Sequence, residues 1–291
     1  VADRTSQASP LRPDVAAPLL ITELLYQTPP EFDPDEFRQR MALSLPHADI
    51  VTGGDKQPVT LVGHQNHRTQ FEGGKSIPAQ TAVMLGSPFI AERFESAIGQ
   101  SWGWPEARDA VTRCRHQIIV TELMTHTLDR KIRLELYEAT LCEVMAVAPP
   151  AAVFCSSAER IIEPEAIIRA ALSKDPAEQF APFLNVRLIR VGEQESDELL
   201  MDTRGLAAMG LPDLQVHFRD LDPTSVASLL YNCGFYVFEH GDCIENGHTI
   251  QGLTPDQKWT CQHQPSLLPP ARTVVDFNPG GPFAAGDRGE A

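Results

Sequence analysis

The chain has 291 residues, 42% hydrophobic and 22% charged, with a formal net charge of −15. That length can bury a core without disulfide or metal staples. The negative charge argues against nucleic acid as a partner, because phosphate binding needs a cationic surface. The longest apolar runs, such as residues 151–154, are too short for a membrane-spanning helix, so no membrane partner is expected either.

Residues 1–17 are polar and interrupted by Pro10 and Pro13, which predicts a flexible N-terminal tail. No apolar stretch with basic flanks occurs there, so no signal peptide is read. Residues 19–26 form a mostly buried strand by pattern. Asp33-Pro34 then supplies a helix start, Asp as N-cap and Pro at the first helical position. Phe37, Met41 and Leu45 recur at helical spacing and should face the core.

Strands are expected at 49–52, 59–62 and 81–85, with a Gly53-Gly54-Asp55 turn between the first two. Helices are expected at 89–98 and 105–115 around Trp102-Gly103-Trp104-Pro105. A strand follows at 117–121, then the longest helix at 129–147. A strand at 151–155 and a helix at 164–172 lead into a second lobe. There, strands are expected at 186–191 and 199–202. Residues 214–218 alternate apolar and polar, the period of a half-buried strand. A helix at 223–233 and a strand at 236–239 complete the lobe.

The expected fold class is therefore α+β: two lobes of mixed or antiparallel sheet with helices packed on one face. The boundaries are a tail at 1–17, an N-terminal lobe at 18–158, a C-terminal lobe at 159–263 and a tail at 264–291. Residues 265–291 hold five Pro and four Gly, which predicts an extended tail, with 273–277 able to dock as a short strand. Residues 20–52 and 213–239 both read strand, acidic turn, Asp-Pro, helix, strand. That echo suggests an internal pseudo-repeat of two α+β halves.

The six cysteines are irregularly spaced in a long chain, and Cys142 and Cys155 sit in apolar patterns. Buried free thiols and a reducing, cytoplasmic location are expected.

The order of these segments is familiar. Ile21-Thr-Glu-Leu-Leu25, Glu31-Phe-Asp-Pro34, Pro78-Ala-Gln-Thr-Ala-Val-Met84, Ser101-Trp102 and His116-Gln-Ile-Ile-Val120 resemble a bacterial family catalogued as domain of unknown function 4261. Its most recognisable stretch corresponds to Asp202-Thr-Arg-Gly-Leu-Ala-Ala-Met-Gly-Leu-Pro-Asp-Leu-Gln-Val216. The resemblance covers about 20–262 and brings no catalytic residues with it. It implies an accessory setting, in secretion- or toxin-associated gene neighbourhoods. Within the stretch, Gly205 and Gly210 permit close packing or positive backbone dihedrals. The plain reading is a corner joining two strands. The functional reading makes Thr203 and Arg204 ligand contacts on a loop.

Other candidate chemistry is sparse. His64-x-x-His67 lies in a polar segment read as a loop, without the glutamate of a zinc-protease helix. His240, Cys243, His248, Cys261 and His263 cluster late. Cys243, His248, Cys261 and His263 are the alternative metal set, although their spacing fits no zinc-finger form. Cys114 stands between Arg113 and Arg115, next to His116, cations that favour a thiolate. The plain reading there is a basic helix end. No Walker loop, nucleophile elbow or dinucleotide glycine motif is present, and no cofactor is expected.

Charge is the more informative signal. From Glu193 to Glu245 there are eleven acidic residues and two arginines, a local net of −9. Solvation is one use of such a surface. Docking a basic protein is the other, with Glu193, Glu195, Asp197 and Glu198 as binding residues on an exposed run. The resulting expectation is a non-catalytic, accessory or immunity-type interaction protein. The alternative is an enzyme or metal-binding domain built on the Cys/His residues.

Overall fold

The Asp-Pro dipeptides at Asp33 and Asp222 both start helices. The computed structural model describes residues 19–53, 59–191 and 197–286. Asp33 caps α1 (Pro34–Ser44), its carboxylate accepting from the amides of Asp35 at 2.8 Å and Glu36 at 3.2 Å. Asp222 caps α7 (Pro223–His240) through the amide of Ser225 at 2.9 Å. Each Pro occupies the first turn, where its missing N–H has no helical partner to lose. The expected tail at 1–17 lies outside the described residues.

The fold is α+β, built on two sheets. The first contains β1 (Ile21–Tyr26), β2 (Ala48–Thr52), β3 (Val59–Gln70), β4 (Ser76–Leu85), β5 (His116–Leu123), β6 (Ala152–Cys155) and β7 (Arg160–Ile162). Its order is β2-β3-β4-β5-β1-β6-β7, and every pairing is antiparallel. β1 is apolar on both faces, and successive side chains point opposite ways. Leu24 enters the main core with α1 and α4 (Arg130–Val147). Leu25 enters a smaller cluster with Phe94, Ala97 of α2 (Glu95–Gly99) and Val111 of α3 (Ala107–Thr112). Helices thus cover both faces of this sheet, not the single face expected.

The second sheet contains β8 (Asn185–Arg190), β9 (Leu199–Arg204), β10 (Asp213–Phe218), β11 (Thr249–Gln251), β12 (Lys258–Pro265) and β13 (Thr273–Asn278), in the order β11-β12-β13-β10-β9-β8. Its one parallel pairing is β10 with β13. α7 lies on β8, β9 and β10. The residues expected as a strand at 236–239 are the last turn of α7. There Phe238 stacks on Phe180, with ring centroids 4.1 Å apart. A helix already nucleated at Asp222 continues at one hydrogen bond per residue and overrides the β preference of Tyr236, Val237 and Phe238.

The two sheets share a path. In the first, β1 feeds α1, the chain emerges at the edge as β2, and a meander of four strands returns beside β1. In the second, β10 feeds α7, the chain emerges at the edge as β11, and a meander of three strands returns beside β10. Four strands bring β5 back antiparallel to β1, and three bring β13 back parallel to β10. The echo read in the sequence is therefore topological, but the strand after the second helix is β11, not residues 236–239.

The halves share one core. The main cluster runs from Leu20 and Leu24 through Tyr137 of α4 to Leu214 and Phe277. α5 (Pro164–Ala171) and α6 (Pro176–Phe180) bridge α4 to α7. Tyr137 meets Phe183 edge-on at 5.9 Å. The boundary expected at 158 falls just before β7, which still belongs to the first sheet. The boundary expected at 263 falls inside β12. The segment read as a Pro/Gly-rich tail holds β13, with Val274, Val275 and Phe277 fully buried. β13 fills the middle of the sheet, so residues 270–286 are integral to the fold.

Candidate functional site

The second sheet has one apolar and one polar face. Met201, Leu214, Val216, Val275 and Phe277 join the main core with α7. On the other face, the register sets Arg187 opposite Asp202, Asp202 opposite Gln215, and Gln215 opposite Asp276, a polar row across β8, β9, β10 and β13. Alternation alone predicts solvent on that face. Instead every residue of β10 is buried. The connection from β12 to β13 covers it: Leu267 N–H donates to Gln215 Oε1 at 2.9 Å, and the Pro269 carbonyl accepts from Arg187 at 3.2 Å.

Three arginines and three carboxylates interlock beneath this cover. Arg187 grips Asp202 with two bonds, Nε to Oδ1 at 2.9 Å and Nη2 to Oδ2 at 2.6 Å. Arg272 spans two strands, with Nη2 to Asp202 Oδ2 at 2.6 Å and Nε to Asp213 Oδ2 at 2.8 Å. Glu159 bridges Arg187 at 2.7 Å and Arg204 at 3.1 Å. Asp202 and Asp213 have no exposure. Ions buried this deeply need matched partners, and here each carboxylate has an arginine. Burial pushes the Asp213 carboxyl up, opposed by Arg272. Burial also lowers Arg204, opposed by Glu159. Burial would lower Arg187 too, but the hydrogen bond and charge of Asp202 raise it. Asp202 therefore serves as an acceptor of guanidinium hydrogen bonds, and its two oxygens are engaged.

Residues 202–278 match the family model described as Domain of unknown function (DUF4261). This segment belongs to the DUF4261 family. It starts inside β9, ends with β13, and contains Asp202, Arg204, Asp213, Gln215, Arg272 and Asp276. Glu159 and Arg187, which complete the ionic network, come from outside it. The resemblance read over 20–262 is matched from Asp202 onward and extends further at the C-terminal side. No curated protein and no solved structure matches the chain.

The DUF4261 segment places Thr203 and Arg204 on β9, not on a loop. Thr203 is buried and stitches strands together: its hydroxyl accepts from the Leu214 amide at 2.8 Å and donates to Asp213 at 3.2 Å. Gly205 follows at φ 122°, and a Cβ there would come within 1.9 Å of the Phe183 carbonyl. Only glycine fits that close approach.

The acidic run is divided. Glu193 and Glu195 lie outside the described residues. Asp197 is exposed, and Glu198 pairs with Arg219 at 2.7 Å and His217 at 3.2 Å. Asp202 and Asp213 turn inward, and Glu239 pairs with Lys131 at 2.6 Å. The local surplus of −9 is thus not one continuous surface.

His64 and His67 lie within β3, not in a loop, and a register shift separates His64 from Arg68. His64 is buried against the Thr81 hydroxyl at 2.9 Å, and burial with His67 nearby lowers it to about 4. Cys114 is buried, and burial raises its thiol despite Arg113 and Arg115. Cys261 is buried in β12, while Cys243 and His248 are exposed. His263 contacts Asn246 at 3.2 Å and Asp242 at 3.4 Å. Among the described residues, no three His, Cys, Asp or Glu side chains are grouped to hold a metal ion.

Glu159, Arg187 and Arg272 carry the network and were not singled out by sequence reasoning. A signal was present. Asp202, Asp213 and Asp276 each sit beside apolar residues in a strand-like run, and three carboxylates so placed call for buried cations.

Proposed function

We propose that this chain is a non-catalytic protein-interaction protein that docks a basic partner, in an accessory or immunity-type role in the bacterial cytoplasm. The observation that carries this reading is the register at one end of β9 and β10. Leu199 faces Phe218, which brings Asp197 level with Asp220. Asp222 lies two residues further on, and all three are exposed. Carboxylates gathered at a strand end raise the encounter rate with a cationic surface and reject anionic ones. The net charge of −15 acts in the same direction.

The interior supports the reading. Burial raises the thiols of Cys114, Cys142, Cys155, Cys233 and Cys261, away from the thiolate a nucleophile needs. All six cysteines are free, which suits a reducing compartment.

The test neutralises Asp197 and Asp220 to Asn and spares the cap at Asp222. In pull-downs from source cells, the double variant should lose basic partners kept by the wild type, with a flatter salt dependence. Neutralising exposed Asp49 and Asp256 instead should change neither. Identical partners and identical salt sensitivity in D197N/D220N would sink the docking role.

A further inference from the structure

Glu159 is held in a costly conformation. It lies in the turn between β6 and β7 at φ 50°, a region that L residues with a Cβ adopt at an energetic cost. From there its carboxylate bridges Arg187 Nη1 at 2.7 Å and Arg204 Nη2 at 3.1 Å. Its side chain remains 33% exposed, whereas Arg204 is 8% exposed. Among the described residues, Arg204 Nε and Nη1 are buried without a hydrogen-bond partner. Unpaired guanidinium N–H groups in the interior are expensive.

A hollow of about 450 Å³ opens beside this bridge, lined by Glu159, Arg187, Ile189, Leu268, Pro269 and Pro270. Its walls are apolar, and its charged end is the bridge. That division suits a ligand with a hydrocarbon body and one charged head.

We propose that Arg187 and Arg204 form a carboxylate seat, with Glu159 as an internal occupant that a small apolar carboxylic acid displaces. Charge favours a monoanion. With Glu159 swung out, Arg187 and Arg204 lose the one carboxylate they share, a single negative charge. A single carboxylate restores balance and offers two oxygens to two guanidinium groups. A phosphate monoester, with about −1.5 to −2 charges, overfills the seat. The incoming head, seated at Arg204 Nη2, also offers an acceptor to the neighbouring Nε or Nη1. The seat lies at the opposite end of β9 and β10 from Asp197 and Asp220, so it stands or falls independently of the docking role.

The probe is hexanoate, followed by titration calorimetry on the full chain. Removing the internal competitor with E159Q should tighten hexanoate binding about tenfold over the wild type, whereas hexanol and hexylamine should bind neither. L268D, combined with E159Q, places a like charge in the hollow wall and should abolish binding without touching the arginines. If E159Q melts early, hexanoate should restore its melting temperature more than chloride at equal ionic strength. Equal hexanoate affinity in wild type and E159Q, or no rescue where E159Q is unstable, overturns the seat. Hexanol binding as well as hexanoate reduces the hollow to an apolar patch. Inorganic phosphate binding as well as hexanoate overturns the carboxylate assignment.

Discussion

Gln100 pairs with the backbone of Leu188 as a neighbouring strand would. Its Nε2 donates to the Leu188 carbonyl at 3.1 Å, and its Oε1 accepts from the Leu188 amide at 3.0 Å. β8 is the edge of the second sheet, and exposed edges invite pairing with other chains. One side-chain amide from the first half of the chain therefore closes part of that edge and ties the halves together. Gln100→Ala should cost about 1–2 kcal/mol in urea unfolding. It should also increase concentration-dependent association in light scattering. No change in either measurement would show that the contact is incidental.

Arg272 is the cation shared by Asp202 and Asp213. Arg272→Met leaves both carboxylates under-compensated in the interior and should destabilise the protein by about 3–5 kcal/mol. Ending the chain at residue 271 should be worse, because it also removes β13 from the middle of its sheet. Circular dichroism and denaturant midpoints measure both. A truncated protein with wild-type stability would refute the structural role of this segment.

Glu138 on α4 is 4% exposed, and burial pushes its carboxyl up to about 8. The folded protein holds this proton between pH 4.5 and about 8, while the unfolded chain releases it. Protons bound in excess by the folded state make stability fall as pH rises through that window. Glu138→Gln removes the titration. Its unfolding free energy should change less between pH 5 and 8 than that of the wild type, with a difference of a few kcal/mol. Parallel stability-pH curves for the two proteins would contradict this.

His64 titrates in the opposite sense. Its folded pKa of about 4 lies below the ordinary 6.5, through burial and then the charge of His67. The unfolded chain binds the proton first as pH falls, so stability present above pH 6.5 is lost progressively toward pH 4. His64→Gln should flatten that acid limb, read as the melting temperature across the same window. An unchanged acid limb would mean that other groups control it.

Short-range physics made the helix starts legible. Asp33-Pro34 and Asp222-Pro223 mark helices by capping chemistry that needs no tertiary partner. Phe37 and Met41 mark the buried face of α1 by spacing alone. The pattern of β10 was legible as alternation, but its burial was not. Gln215 is enclosed because the chain around Leu267 folds over it, and His217 because the chain at Gly286 packs on its ring. The first of these covers joins residues some fifty positions apart.

Neighbouring residues and composition alone specify the α+β class, the helix starts at Asp33-Pro34 and Asp222-Pro223, and the acidic balance. Long-range contacts make Thr273–Asn278 a central strand, draw Tyr236–Phe238 into the end of a helix, and bring Arg187, Arg272 and Glu159 to Asp202, Asp213 and Arg204. Strand partners and ion pairs are chosen by long-range register, and burial changes the energetic meaning of a charge. A Pro/Gly-rich segment reads as tail until β10 offers it hydrogen bonds along its length. An arginine at its edge reads as solvent-facing until two buried carboxylates require it.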